Sequence, residues 1–322
     1  MLYGFFCEWT PKKPGEGAAT SMTTARKHSE IQDAAVPVRL RDGALIQAWV
    51  HAGRGIPMVF LYGLGCSSRH WKYQLQHAQD QGHITIHMDY RGHGASTLGN
   101  PLRPLSIKTL SHDLREVLDQ LGVEAAVILG QSMGGTVAMQ FAHDHPHRCA
   151  GLILQGSPGR NPYAHMRIGD TGRAALNLLM TLNKFAPDWV RFLNSAAGKA
   201  PALAREVVRI KGFNPQLAKT EDIDEYLRHF FATDPNIFYE LAEDLRDFDV
   251  SHLPHLIEVP TLIIAGGKDH VVPVEECRWL AKRLPMAELE IMAHGSHCPH
   301  LDDPAFVNAR IDRFLSTYRQ LT

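Results

Sequence analysis

Hydrophobic positions along the chain follow two alternating rhythms. Val36 to Leu40 and Ala44 to Val50 are strand-like runs joined by Asp42-Gly43, a strong hairpin signal. Met58-Val59-Phe60-Leu61 and Ile84 to Met88 are continuous apolar runs, the pattern of strands buried on both faces. Between them a helix is predicted over 70–80. After them Leu110, Leu114, Val117, Leu118 and Leu121 repeat at helical spacing and predict a helix over 107–121. Strand 125–129, helix 133–143 and strand 151–154 continue the alternation. It predicts a mostly parallel α/β sheet covered by helices on both faces, with the leading hairpin as an antiparallel edge.

The alternation stops near Gly156. Residues 157–250 carry helical periods and no convincing strand. Asp234-Pro235 reads as a helix start, since Asp can cap and proline at the first helical position gives up no needed donor. The α/β rhythm resumes with strand 261–265, helix 274–284, strand 289–292 and helix 304–318. The expected organisation is therefore one α/β core, 36–156 and 251–322, split by an inserted helical cap, 157–250. Residues 1–35, rich in Ala, Thr, Ser, Lys and Glu without a period, read as a disordered tail.

With 322 residues, 44% of them hydrophobic, the chain can fill a sizeable core. Its 33 basic and 34 acidic residues give a net charge of -1, so no strong field gathers nucleic acid or an anionic membrane. Neither is expected as a partner. Cys7, Cys66, Cys149, Cys277 and Cys298 are scattered, odd in number and never spaced C-x-x-C. That argues against a disulfide framework or a zinc site and for reduced thiols in the cytoplasm. No stretch reaches the ~18 apolar residues of a membrane helix. Met1 to Trp9 lacks the basic start of a secretory signal.

The candidate chemistry begins at Gly130-Gln131-Ser132-Met133-Gly134-Gly135, between a predicted buried strand and a predicted helix. A serine on a sharp strand-to-helix turn projects its hydroxyl above the sheet. Such a turn leaves little room two residues to either side, which suits Gly130 and Gly134. The Met133 N–H then lies at a helix N-terminus, where unpaired donors and the helix dipole favour an oxyanion. Ser132 needs a base, and Gly295-Ser296-His297-Cys298-Pro299 follows the last predicted strand, with His294 and His300 as close competitors for that role that otherwise read as solvent-facing loop histidines.

At this point the chain resembles the α/β-hydrolase superfamily, whose last loop commonly reads Gly-His-x-Pro-x-x-Glu-x-Pro. His297, Pro299 and Pro304 match that register, with Ser296 in place of Gly and Asp302 in place of Glu. The resemblance implies His297 as general base. Gly266-Gly267-Lys268-Asp269 resembles the Gly-x-x-Asp loop and implies Asp269 as the supporting acid. The other position that the family uses for this acid, after the strand ending at Leu154, offers no carboxylate in Gln155-Gly156-Ser157-Pro158. Tyr62-Gly63-Leu64-Gly65 resembles the His-Gly-x-Gly loop with Tyr in place of His, and implies the Leu64 N–H as a second oxyanion donor beside Met133. The order Ser, Asp, His is the one expected of this fold. Asp89-Tyr90-Arg91-Gly92-His93-Gly94-Ala95-Ser96 resembles another hallmark of the superfamily and reads as structural.

Two decoys stand beside these. Gly63-Leu64-Gly65 followed by Asp89 imitates a dinucleotide fingerprint, but Ser68 stands where its third Gly or Ala belongs, so no nicotinamide cofactor is expected. His143-Asp144-His145-Pro146-His147 imitates a metal cluster, but the proline breaks any ordered ligand face, and no metal is expected.

The resemblance implies a serine hydrolase that cleaves small to medium apolar carboxylic esters through an acyl-enzyme on Ser132, without a cofactor. Ser132 argues against the haloalkane dehalogenase and epoxide hydrolase branches, which use Asp there. Capped relatives also include lactonases, carbon–carbon bond hydrolases and perhydrolases, and some proteins of this fold act as slow-turnover ligand receptors. Leu176, Leu179, Met180, Phe185, Trp189, Phe192, Phe213, Phe230, Phe231 and Phe238 are expected to form mostly cap core, with some lining an acyl pocket.

Overall fold

The computed structural model describes residues 34–100, 104–167, 169–198, 202, 205, 206, 208, 212–252 and 257–321. The tail expected over 1–35 lies outside these residues except for Ala34 and Ala35, which instead open the first strand.

Eight strands form one sheet: β1 (Ala34–Arg39), β2 (Leu45–His51), β3 (Arg54–Leu61), β4 (His83–Met88), β5 (Ala126–Gln131), β6 (Cys149–Gln155), β7 (Thr261–Gly266) and β8 (Ala287–Met292). Their spatial order is β1-β2-β4-β3-β5-β6-β7-β8. β2 pairs antiparallel with both β1 and β4, and every other pairing is parallel. This is the expected antiparallel edge on a parallel sheet. Registers such as Leu61↔Gly130 and Gly130↔Leu154 bring the carboxyl ends of β3, β5 and β6 to one line. Loops after these strands therefore converge on one edge of the sheet, where ligands of open α/β sheets gather.

The core helices follow the predicted rhythm: α1 (Lys72–Asp80), α2 (Ile107–Gln120) and α3 (Met133–Asp144). Ser106 caps α2, its hydroxyl accepting the Thr109 N–H at 3.0 Å. Its side chains Leu110, Leu114, Val117 and Leu118 are fully buried. Between β6 and β7 come α4 (Gly169–Phe185), α5 (Pro187–Gly198), α6 (Thr220–Ala232) and α7 (Pro235–Asp247). Asp234 caps α7 as expected, accepting the Asn236 N–H. The chain closes with α8 (Val274–Ala281), α9 (Pro299–Asp302) and α10 (Pro304–Leu321).

One expectation for the insertion is corrected. Phe185, Trp189 and Phe192 are not cap core: they are 83%, 66% and 63% exposed. α4 and α5 pack against each other and α7, burying Met180 and Val190, and turn these three rings outward. A second apolar cluster, Phe213, Ile223, Leu227, Cys298 and Leu301, fastens the insertion to the loop after β8. Cys66, Cys149, Cys277 and Cys298 are free and buried. Among the described residues no helix is long and apolar enough to cross a membrane.

Candidate active site

β5 ends at Gln131 and α3 begins at Met133, so Ser132 makes the whole turn between them. It is the one described non-glycine residue with positive φ, at φ 53° and ψ -123°. The neighbouring glycines are required by space. A Cβ on Gly130 would lie 2.5 Å from the Gly134 carbonyl oxygen, and one on Gly134 would collide with the carbonyl of Leu61. The turn is thus wedged between the ends of β3 and β5.

His297 and Asp269 come from the loops after β8 and β7. His297 Nδ1 lies 2.8 Å from Asp269 Oδ2, and Asp269 is 1% exposed. The other carboxylate oxygen accepts the N–H groups of Val271 at 2.7 Å and Val272 at 2.9 Å. Both oxygens are therefore held, and the imidazole is aimed by a fixed carboxylate. Lys268 is exposed and forms no pair with Asp269. Gly156, at the end of β6, has φ 49°, and a Cβ there would stand 3.1 Å from His297 Nδ1 and 3.2 Å from Asp269 Oδ2. The position that lacks a carboxylate is the one the histidine–aspartate pair passes over.

The loop after β8 is anchored at both ends. Gln131 donates to the His297 carbonyl at 3.3 Å, linking the serine turn to the histidine loop. Asp302, standing for the usual Glu, accepts the Ser296 N–H at 2.6 Å and the Asn214 N–H at 3.3 Å. Asn214 lies in the insertion, so the histidine loop is bonded to it directly. Gln131 and Asn214 carry no sequence signal that would have singled them out. His300, expected to face solvent, is instead fully buried, its ring 4.8 Å from that of Trp71. Pro299 begins the short helix α9, which turns His300 back into the core. His294 is exposed.

Tyr62-Gly63-Leu64-Gly65 runs directly beside the serine turn: a Cβ on Gly63 would lie 3.1 Å from the Ser132 Cβ. Tyr62 is buried, and its hydroxyl accepts the Tyr90 N–H at 2.8 Å while the Tyr90 hydroxyl donates to the Tyr62 carbonyl at 3.1 Å. Tyrosine thus holds this loop to the one after β4. Among the described residues neither the Leu64 nor the Met133 N–H finds an acceptor. Arg91, read as structural, is buried and grips Asp113 with two bonds, at 2.5 and 2.6 Å, and Asp42 at 2.9 Å. In the histidine-rich stretch His143 bonds Asp144 and His145 packs on Phe141.

Ser132, Leu64 and His297 line one cavity of about 270 Å³. Its remaining walls are mostly apolar and come largely from the insertion, among them Tyr163, Met166, Leu176, Phe213, Tyr226 and Phe238. Leu176, Phe213 and Phe238 belong to the anticipated set; Tyr163, Met166 and Tyr226 do not. Phe230 and Phe238 also close over Gly65, whose Cβ would meet both rings.

A model of the alpha/beta hydrolase fold matches residues 56–304. The chain is 29% identical over 265 residues to a protein of Caulobacter sp. (strain K31) named "Putative carbamate hydrolase RutD", spanning 79% of this chain and 88% of that one. It superposes on the esterase EaEST from Exiguobacterium antarcticum with a TM-score of 0.70 at 22% identity, over 88% of this chain and 100% of that one, a likeness of fold alone. It also superposes on Est816, described as an N-acyl homoserine lactone degrading enzyme, with a TM-score of 0.68 at 26% identity, over 86% and 100%. With the family model covering most of its length and the sheet order, serine turn and loop positions described above, the chain belongs to the alpha/beta hydrolase fold family.

Proposed function

We propose that the protein is a serine hydrolase of carboxylic esters, with Ser132 as nucleophile, His297 as general base and Asp269 as the acid that orients it. The carrying observation is the Asp269–His297 hydrogen bond at 2.8 Å, with that histidine and a serine held at positive φ lining one largely apolar cavity. His297 takes the proton from the Ser132 hydroxyl through its outer nitrogen as the oxygen attacks the ester carbonyl. The tetrahedral oxyanion forms against the Leu64 and Met133 N–H groups, and each such donor is worth roughly 10²–10³ in turnover. His297 then gives its proton to the leaving alcohol, and water activated by the same imidazole clears the acyl-enzyme. The helices of 157–250 act as the cap that supplies the acyl-chain walls. A cavity of about 270 Å³ suits a small or medium apolar acyl group.

Hydrolysis of p-nitrophenyl esters from acetate to decanoate, wild type beside Ser132→Ala, tests this. Turnover that vanishes in the variant supports the serine esterase, and the chain-length optimum sizes the pocket. A lactone is the second reading, favoured by the likeness to Est816 over 86% of the chain. It uses the same residues and leaves alcohol and acid joined in one product. Ester turnover absent while a fluorophosphonate still labels Ser132 would move the assignment to lactones, or to a receptor with slow turnover.

A further inference from the structure

β8 is the last strand of the sheet, so the loop that carries His297 has a strand neighbour on one side only. From that side the Lys268 N–H donates to the Gly295 carbonyl at 2.9 Å. Gln131 reaches the His297 carbonyl at 3.3 Å. A base aligned with a nucleophile tolerates little displacement. The sheet leaves the outer side of this loop to be held by something else.

Asn214, buried in the insertion, grips that side at two points. Its Nδ2 donates to the carbonyl of His294, before His297, at 2.5 Å. Its backbone N–H donates to the carboxylate of Asp302, after His297, at 3.3 Å. The other oxygen of Asp302 accepts the Ser296 N–H at 2.6 Å, and Ser296 Oγ accepts the Cys298 N–H at 3.1 Å. Both chain neighbours of His297 are thus tied into a network that ends on Asn214. The amide has a single orientation: Oδ1 accepts the Gln216 N–H at 2.9 Å, and Nδ2 faces a carbonyl that can only accept. The adjacent Phe213 lines the Ser132 cavity and packs with Cys298 and Leu301. Two consecutive residues of the insertion therefore touch the cavity wall and the histidine loop.

We propose that Asn214 is a positioning residue for His297: its side chain fixes the histidine loop from the insertion, which thereby sets the alignment of the base as well as the walls of the cavity. The proposal rests on His297 being that base. Asn214 touches no reacting atom and acts through the His294 carbonyl and Asp302.

Ester hydrolysis and urea denaturation of the full chain carrying Asn214→Ala or Asn214→Ser test it. The serine hydroxyl can still accept the Gln216 N–H and keep the local turn, but it is too short to reach the His294 carbonyl. Asn214→Ser should therefore regain the stability that alanine loses. Both variants should lower kcat at least about tenfold with a smaller change in KM. If Asn214→Ala fails to fold, Asn214→Ser beside wild type carries the comparison. A second readout needs no turnover: the downfield proton resonance of His297 Nδ1–H, bonded to Asp269, should shift or broaden in Asn214→Ser. A kcat that recovers together with stability, or an unchanged kcat and resonance in folded Asn214→Ser, would overturn the proposal. A wild type that neither turns over esters nor reacts with a fluorophosphonate would instead remove the serine-hydrolase reading, and the resonance would still decide whether Asn214 holds His297.

Discussion

Ser132 sits where only glycine is comfortable, and strain of this kind costs of order 1–3 kcal/mol. Ser132→Gly should therefore unfold at a higher denaturant midpoint than wild type, by about 1 kcal/mol, while losing ester turnover. A glycine variant less stable than wild type would mean that the hydroxyl contributes more than the turn costs. Ser132→Ala keeps the strain and should lower turnover by on the order of 10⁴–10⁶ with the fold intact. Gly156 gives a sharper test of positioning, since no reacting atom belongs to it. A methyl there presses on both His297 and Asp269 at a φ that favours glycine. Gly156→Ala should lower kcat by about 10² or more with a smaller change in KM, because misplacement by about 1 Å is costly in an aligned site. An unchanged kcat in a folded variant would separate Gly156 from the histidine–aspartate geometry.

At the scale of elements, the site is three loops held to one another. Tyr62 shows how. Its hydroxyl is the acceptor for the buried Tyr90 N–H, so Tyr62→Phe leaves that donor without a partner and should cost about 1–3 kcal/mol. Urea denaturation reads this directly; a loss below a few tenths would mean that another acceptor takes over. The tyrosine itself was legible in the sequence as a departure from the family loop, but its bond to the loop after β4 was not, because the partners are 28 residues apart. The strands and core helices were legible because sheet burial and helical period leave distinct traces: Met58 to Leu61 and Leu110 to Leu118 lie where the pattern puts them. The insertion was less so. A helix with an apolar stripe says that something covers it, not what, and Phe185, Trp189 and Phe192 carry such a pattern yet remain exposed. His300 failed for a related reason: a histidine in a loop motif reads as polar, while α9 turns this one against Trp71. Ser132, Asp269 and His297 were nameable because each follows a strand in a loop of recognisable spacing. Gln131 and Asn214, which link those loops, act through contacts that no local pattern records.

Across the whole molecule, the junction between insertion and core responds to acid. His70 stacks on Tyr226 of α6 with ring centres 5.4 Å apart, and the His300 ring lies 6.5 Å from that of His70. Burial lowers His70 from its ordinary 6.5 to about 3 and His300 well below its ordinary value, and neither ring has a hydrogen-bond partner. Nearby, Lys72 and Arg69 on the core side grip Glu225 of α6. Burial raises Glu225, but the two cations outweigh it and hold the carboxyl at about 2. The signs agree. Below 6.5 the unfolded chain protonates His70 and His300 while the folded chain does not, so stability falls with pH from 6.5 toward about 3. Glu225 stabilises above its ordinary 4.5 and loses that contribution as pH falls from there to about 2. Unfolding free energy should therefore begin to fall near pH 6.5, before ordinary carboxylates titrate, by up to about 1.4 kcal/mol per pH unit for each buried histidine. The double variant His70→Phe, His300→Phe keeps the stacked rings and removes both protonation sites. It should make the profile shallower between pH 6.5 and 4.5, where Glu225 of the folded chain is still ionised, and leave the share of His93, His145 and His229, which burial also lowers. Denaturant titrations across that window decide the matter: an unchanged slope in the double variant would place the acid sensitivity elsewhere, and a shallower one would locate that share of it where the insertion meets the sheet.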